Sequence, residues 1–260
     1  MPTLRNAHKI NHAPSDGAQA FSLHFKWQTK NLPSHYAQVI AYAFLSGLKF
    51  TLLLWLLICP VLQAQEITIP ISSFSNLQLN DWQQKSFKGE TQYQIVSIDK
   101  QAALQAKSTA AASSLYKEIR IDLYKTPYLN WSWRIDKRLS INNEQSKQGD
   151  DFAARIYLIS GNKWFFWKSK AINYVWANNT DKNTTWPNPF AGENVMMLAI
   201  RSVDDSTKQW HTEKRNVLND LKNIFGEDIR YIDAIAIMSD TDNSSGSALS
   251  YYSNLYFSEQ

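Results

Sequence analysis

Asp151 and Arg155 stand four residues apart in Gly149-Asp150-Asp151-Phe152-Ala153-Ala154-Arg155-Ile156-Tyr157-Leu158, a stretch that alternates like a strand. At a period of two, Asp151, Ala153, Arg155 and Tyr157 share one face and Phe152, Ala154, Ile156 and Leu158 the other. One face is then core, and the other carries an acid and a base side by side. Such a pair is either an ion pair used by the fold or a polar contact for a ligand. Asp150 points to the opposite face from Asp151, so the two do not form the facing carboxylates that glycoside hydrolysis needs. A hydrolase or lyase built on Asp151 would take its second carboxylate from Asp136, Glu213, Asp240 or Asp242, with Arg155 stabilising developing charge. Asp240-Thr241-Asp242-Asn243 offers oxygen ligands at alternate positions, which suits calcium, with Asp240 and Asp242 as the ligands. It is not an EF-hand, because the twelfth position is Tyr251 and the glycine, Gly246, comes one residue late. The competing assignment is a turn in which Asp and Asn side chains bond their own backbone.

Sugars bind by stacking apolar faces on aromatic rings while Asp, Asn and Arg hold their hydroxyls. Trp176, Trp164, Asn173, Asp151 and Arg155 bring both ingredients together, and Arg215 and Asp242 add polar contacts. The competing place for each tryptophan is the core, and Trp131 and Trp133, on the apolar face of one strand, belong there.

Much is excluded. His211 is the only histidine after residue 64, and Cys59, the only cysteine, lies before it, so a zinc or copper centre lacks ligands. No Gly-x-Ser-x-Gly elbow or phosphate-cradling glycine loop is present.

The first quarter of the chain reads differently from the rest. Residues 50–59 form a greasy run after Lys49, and Leu62-Gln63-Ala64 resembles a signal-cleavage site. The sequence therefore predicts a signal peptide over 48–64, a mis-annotated or disordered extension over 1–47, and a single exported domain over 65–260. An uncleaved anchor would hold Lys49 in mid-membrane, which is costly. Five of the 27 basic and one of the 23 acidic residues precede residue 65, so the exported part is neutral and the overall charge of +4 belongs to the leader. The usual argument from basic charge to nucleic acid fails, and membrane contact is expected only through the signal segment, if uncleaved.

The remaining chain is a succession of short strands. Alternation predicts strands at 67–71, 92–98, 102–107, 112–123, 128–136, 151–158, 163–167, 171–177, 195–203, 209–215, 231–238 and 249–257, with a loop over 178–192. Leu129, Trp131, Trp133 and Ile135 share a face. One helix is predicted over 217–225, capped by Asn216 and ended by Gly226. Many strands and one helix predict an all-β, two-layer antiparallel β-sandwich of jelly-roll type, with no second domain.

Trp131-Ser132-Trp133-Arg134, Gly149 to Arg155, Asn173-Tyr174-Val175-Trp176-Ala177, Arg215-Asn216-Val217 with Phe225-Gly226, and Asp240-Thr241-Asp242-Asn243 occur in the order seen in a bacterial family, domain of unknown function 3047, which this chain resembles over about 80–258. That family is similar to the galactose-binding-like jelly rolls of carbohydrate-binding modules. The resemblance implies the fold and export, and no activity. The expectation is thus a non-catalytic exported sandwich that binds a saccharide or similar polar ligand at the cell envelope through Asp151, Arg155, Asn173, Trp176, Arg215 and Asp242, without a cofactor other than calcium. A polysaccharide hydrolase or lyase, and an envelope scaffold, are the alternatives.

Overall fold

The aromatic strand β6 (Tyr128–Ile135) lies at the heart of a computed structural model that describes residues 66–72, 74, 79–161 and 169–260. These belong to one compact unit, Gln65–Gln260. The leader, the signal-like segment and the aromatic run 163–167 with Trp164 lie outside the described residues.

Two sheets face each other. In the first, β11 (His211–Asn216), β6, β13 (Ser247–Ser258), β4 (Gln101–Thr109) and β3 (Gln92–Ile98) follow in that spatial order, and β1 (Thr68–Ser72) also pairs with β13. The second runs β2 (Gln83–Lys88), β5 (Ala112–Asp122), β12 (Tyr231–Asp240), β7 (Arg155–Ser160), β8 (Lys170–Trp176), β10 (Gly192–Arg201) and β9 (Thr185–Asn188). Every described pairing is antiparallel except β8 with β10, which is parallel. This is the two-layer sandwich that the strand pattern predicts.

The face of β6 that carries Leu129, Trp131, Trp133 and Ile135 is wholly buried between the sheets, against Ile156 and Leu158 of β7 and Tyr174 and Trp176 of β8. Trp131 stacks on Tyr174 at 5.5 Å between ring centroids and meets Trp133 edge-on at 5.4 Å. Each such pair contributes about 0.5–1.5 kcal/mol beyond the area it buries. The helix α1 (Val217–Phe225) is capped as predicted: Asn219 N–H donates to the Asn216 side chain at 3.0 Å, and Gly226 adopts the left-handed conformation, φ 68°. Val217 and Leu221 bury its inner stripe. The Tyr174 hydroxyl crosses from the core to donate to Asp220 of α1 at 2.8 Å, which ties the helix to the sandwich.

Three local predictions fail for physical reasons. β7 begins at Arg155, not at residue 151, because 150–154 bends over the outer surface of the second sheet. Phe152 therefore does not share a face with Ile156 and Leu158. It joins a second small core with Val175, Ala177, Trp186, Met197 and Ala199. The predicted loop 178–192 contains β9, whose Trp186 covers that core. β2 lies at the edge of the second sheet, over 83–88, where the sequence suggests only a turn.

Candidate functional site

Small side chains shape the outward surface of the second sheet. Ala112 and Ser114 on β5, Ala234 and Ala236 on β12, and Ala171 on β8 form a low floor. Rings stand around it: Phe87 on β2, Tyr116 on β5, Tyr157 on β7, Tyr231 on β12 and Phe190 in the turn after β9. The outcome is a groove of about 1730 Å3 that draws on both edge regions of the sheet. Small-molecule pockets hold about 300–1,000 Å3, so this one has room for an extended ligand. Phe87 and Phe190 are 60% and 59% exposed, and each carries a lysine over its ring, Lys85 at 5.4 Å and Lys147 at 5.6 Å.

One end of the groove is built by the bend before β7. Gly149 allows it, since a Cβ there would lie 2.1 Å from the Asn143 carbonyl oxygen. The Asp151 carboxylate, fully buried, accepts from Asn243 N–H at 3.1 Å, Asn243 Nδ2 at 3.3 Å and Ser244 N–H at 2.6 Å. It clamps the loop after β12 and does not line the groove, so it offers no acid or base to a groove ligand. Arg155 pairs with Asp240 and lies 3.4 Å from Asp150 Oδ1, and its guanidinium sits between the rings of Phe152 (5.4 Å) and Tyr157 (5.5 Å). The Phe152 N–H donates to Asp240 Oδ1 at 3.2 Å, and Asn188 Nδ2 to Asp150 Oδ2 at 3.2 Å. Among the described residues, Arg155 Nε has no hydrogen-bond partner.

Four carboxylates, Asp150, Asp151, Asp240 and Asp242, thus gather around one buried guanidinium. Burial, only partly offset by Arg155, pushes Asp240 well above the ordinary carboxylate value, and Asp150 upward too. Burial works against the charge on Arg155, but Asp240, Tyr157 and Asp150 outweigh it, so the guanidinium stays ionised. Oxygens of Asp151, Asp240 and Asp242 lie within 4.8 Å of one another, a spacing a cation could bridge. Both oxygens of Asp240 are, however, already engaged by Arg155 and the Phe152 N–H, and both of Asp151 by the 243–244 segment. Arg155 already supplies the positive charge at Asp240, which weakens the calcium assignment for Asp240 and Asp242.

The opposite end is open and paired differently. Arg120 bridges Asp233 at 2.6 Å and lies 4.0 Å over Tyr231; Arg230 binds Asp122 through two contacts, at 3.0 and 2.7 Å.

Of the residues singled out from sequence, Asp151, Arg155 and Asp242 come together here. Asn173 lies on the same outer side but is fully buried, its Nδ2 directed at Met197 Sδ at 3.3 Å. Trp176 does not join them. Its strand register turns it inward, where it packs 5.7 Å from Trp133 and edge-on to His211 at 5.1 Å. Arg215 belongs to the other sheet and holds Asp220 of α1 through Nε at 3.0 Å and Nη2 at 2.6 Å. Sequence reasoning set Asp150 aside, left Asn243 as a motif or turn residue, and missed Asn188, the ringed walls and the floor. The period-two small residues Ala112/Ser114 and Ala234/Ala236 were the signal for the floor.

The family described as Protein of unknown function (DUF3047) matches residues 80–256. No curated protein matches. The chain is similar in structure to a family 11 carbohydrate-binding module of a Clostridium thermocellum cellulosomal cellulase (11% identity, 75% of this chain and 95% of that one, TM-score 0.41). It is similar to a family 30 module from another cellulosomal cellulase of that organism (11% identity, 74% and 96%, TM-score 0.42). A third similar structure is a carbohydrate-binding module specific for non-crystalline cellulose (15% identity, 72% and 92%, TM-score 0.38). Among the described residues, no helix is long and apolar enough to cross a membrane.

Proposed function

The chain belongs to the family described as Protein of unknown function (DUF3047), and from that premise we propose that it is an exported, non-catalytic sandwich that holds an extended saccharide in the groove of its second sheet. One observation carries this reading: a long hollow floored by Ala and Ser, walled by Phe87, Tyr116, Tyr157, Tyr231 and Phe190, and edged by carboxylate and amide side chains. Rings receive the apolar faces of sugar units, polar side chains take their hydroxyls, and the small floor leaves the space that a chain needs. Asp242, Asn243 and Tyr157 are the contacts, with Asp151 and Arg155 as supports that hold the groove's end in place. The greasy run at 50–59 and the cleavage-like Ala64 support export to the periplasm or beyond.

A glycan array probed with the full chain, with and without calcium, tests the binding reading. Retention of neutral or modified polysaccharide with no shortening of the bound chain is expected. Silence across the array, with folding confirmed by circular dichroism, would favour a scaffold. Export is tested by sequencing the secreted protein, which should begin at Gln65; a product that retains residues 1–47 would contradict it.

A further inference from the structure

The hydrogen-bonding groups at the closed end of the groove are unevenly spent. The Asp242 carboxylate, 17% exposed, accepts no hydrogen bond from a described residue; Lys88 Nζ lies 3.9 Å away and donates instead to the Asp242 carbonyl at 2.9 Å. Asn243 has committed its Nδ2 to the Asp150 carbonyl (3.4 Å) and to Asp151 (3.3 Å), which leaves its side-chain oxygen as an acceptor. Asn188 has given its Nδ2 to Asp150, and Arg155 its terminal nitrogens to Asp150 and Asp240. What faces the groove here is therefore rich in acceptors, with Asp150, Asp240 and Asp242 set against Arg155 and, at the rim, Lys85 and Lys88. Among the described residues, Arg155 Nε also lacks a partner, but it is buried beneath the groove surface on a side chain that is 4% exposed.

We propose that this end of the groove selects uncharged, hydroxyl-bearing sugar units and turns away units that carry a carboxylate, an inference that rests on the saccharide reading above. A hydroxyl has a proton to donate, so it serves the Asp242 carboxylate and the Asn243 side-chain oxygen. A uronate carboxylate has no proton to donate and meets a cluster of carboxylates, so it is repelled. An ammonium satisfies the acceptors, but it brings a charge that must be desolvated beside Arg155, Lys85 and Lys88. The substrate class is accordingly a neutral polysaccharide, and Asp242 is the residue that sets the preference.

The test measures dissociation constants of the full chain for three neutral chains (a β-glucan, a galactan and a mannan), for polygalacturonate and for chitosan, all of matched length. At least one neutral chain should bind about tenfold tighter than polygalacturonate, a difference of about 1.4 kcal/mol, and tighter than chitosan. Asp242→Asn, which keeps the shape but removes the charge, should narrow the neutral-to-uronate ratio toward one with the melting temperature unchanged. Polygalacturonate or chitosan bound as tightly as the best neutral chain, or a ratio that Asp242→Asn leaves untouched, would overturn the preference and leave the saccharide reading standing. No binding to any of the five would overturn both.

Discussion

The two ends of the groove use the same side chains in opposite ways. At one end Arg155, Asp150 and Asp240 are 3%, 4% and 1% exposed and form part of the fold's interior. At the other, Arg120 and Arg230 pair with Asp233 and Asp122 in the open, stacked against Tyr231 and Tyr124. A pair in water gains little because solvent screens it, whereas a buried pair, once formed, leaves a large penalty if one partner is removed. The buried end should therefore govern folding and the shape of the groove, and the open end should be replaceable.

The largest effect that could break this contrast is Arg155→Met. Removing the cluster's guanidinium leaves Asp240 and Asp150 buried without their counter-charge, at an expected cost of about 3–5 kcal/mol in denaturant unfolding; stability equal to the parent would show that the cluster does not depend on the pair. Next comes Asp151→Ala, which strands the N–H groups of Asn243 and Ser244 at a cost of about 2–3 kcal/mol. Hydrogen exchange should quicken at those two amides first, and unchanged protection there would remove Asp151 as the clamp.

A smaller effect depends on pH. Burial raises Asp150 and Asp240 above the ordinary value of 3.8, so each binds its proton more readily folded than unfolded. Their contribution to stability is fully present below about 3.8 and is lost as pH rises through the raised folded values. Asp150→Asn carries no such dependence, so its melting temperature should gain on the parent's between about pH 4 and pH 7; a constant difference across that window would contradict the assignment. At the bottom of the scale stands the open end: Arg230→Ala should leave the melting temperature where it is. Added calcium should likewise leave it unchanged, because Arg155 already holds Asp240; a rise that grows with calcium concentration would restore a cation site at Asp240 and Asp242.

Much of the architecture was legible because it is written locally. The inward face of β6, the Asn216 cap and the Gly226 stop each depend on residues within a few positions of one another, and the structure keeps all three. The bend at 150–154 was not legible, since the hydrogen bonds that end the alternation come from Asn243 and Ser244, about ninety residues later in the chain. Period two puts Trp176 and Asn173 on opposite faces of β8, so they could not both contact one ligand, but the pattern does not say which face looks inward. Arg215 looked available for a ligand until the fold brought Asp220 to it. The groove itself is a property of neighbouring strands that are distant in sequence, β5 with β12 and β12 with β7, so its floor becomes visible only once the strand order is known.

The central claim is that the hollow over Ala234 and Ala236 is where an extended saccharide lies. Ala234→Trp puts a bulky ring on that floor without touching the buried Arg155 cluster, and its affinity for the best-binding neutral polysaccharide, measured by isothermal titration beside the parent, tests the claim most directly. The account predicts that binding falls by at least about tenfold, a loss of about 1.4 kcal/mol, while the melting temperature holds. Undiminished affinity in a folded Ala234→Trp protein would place the ligand elsewhere and contradict it.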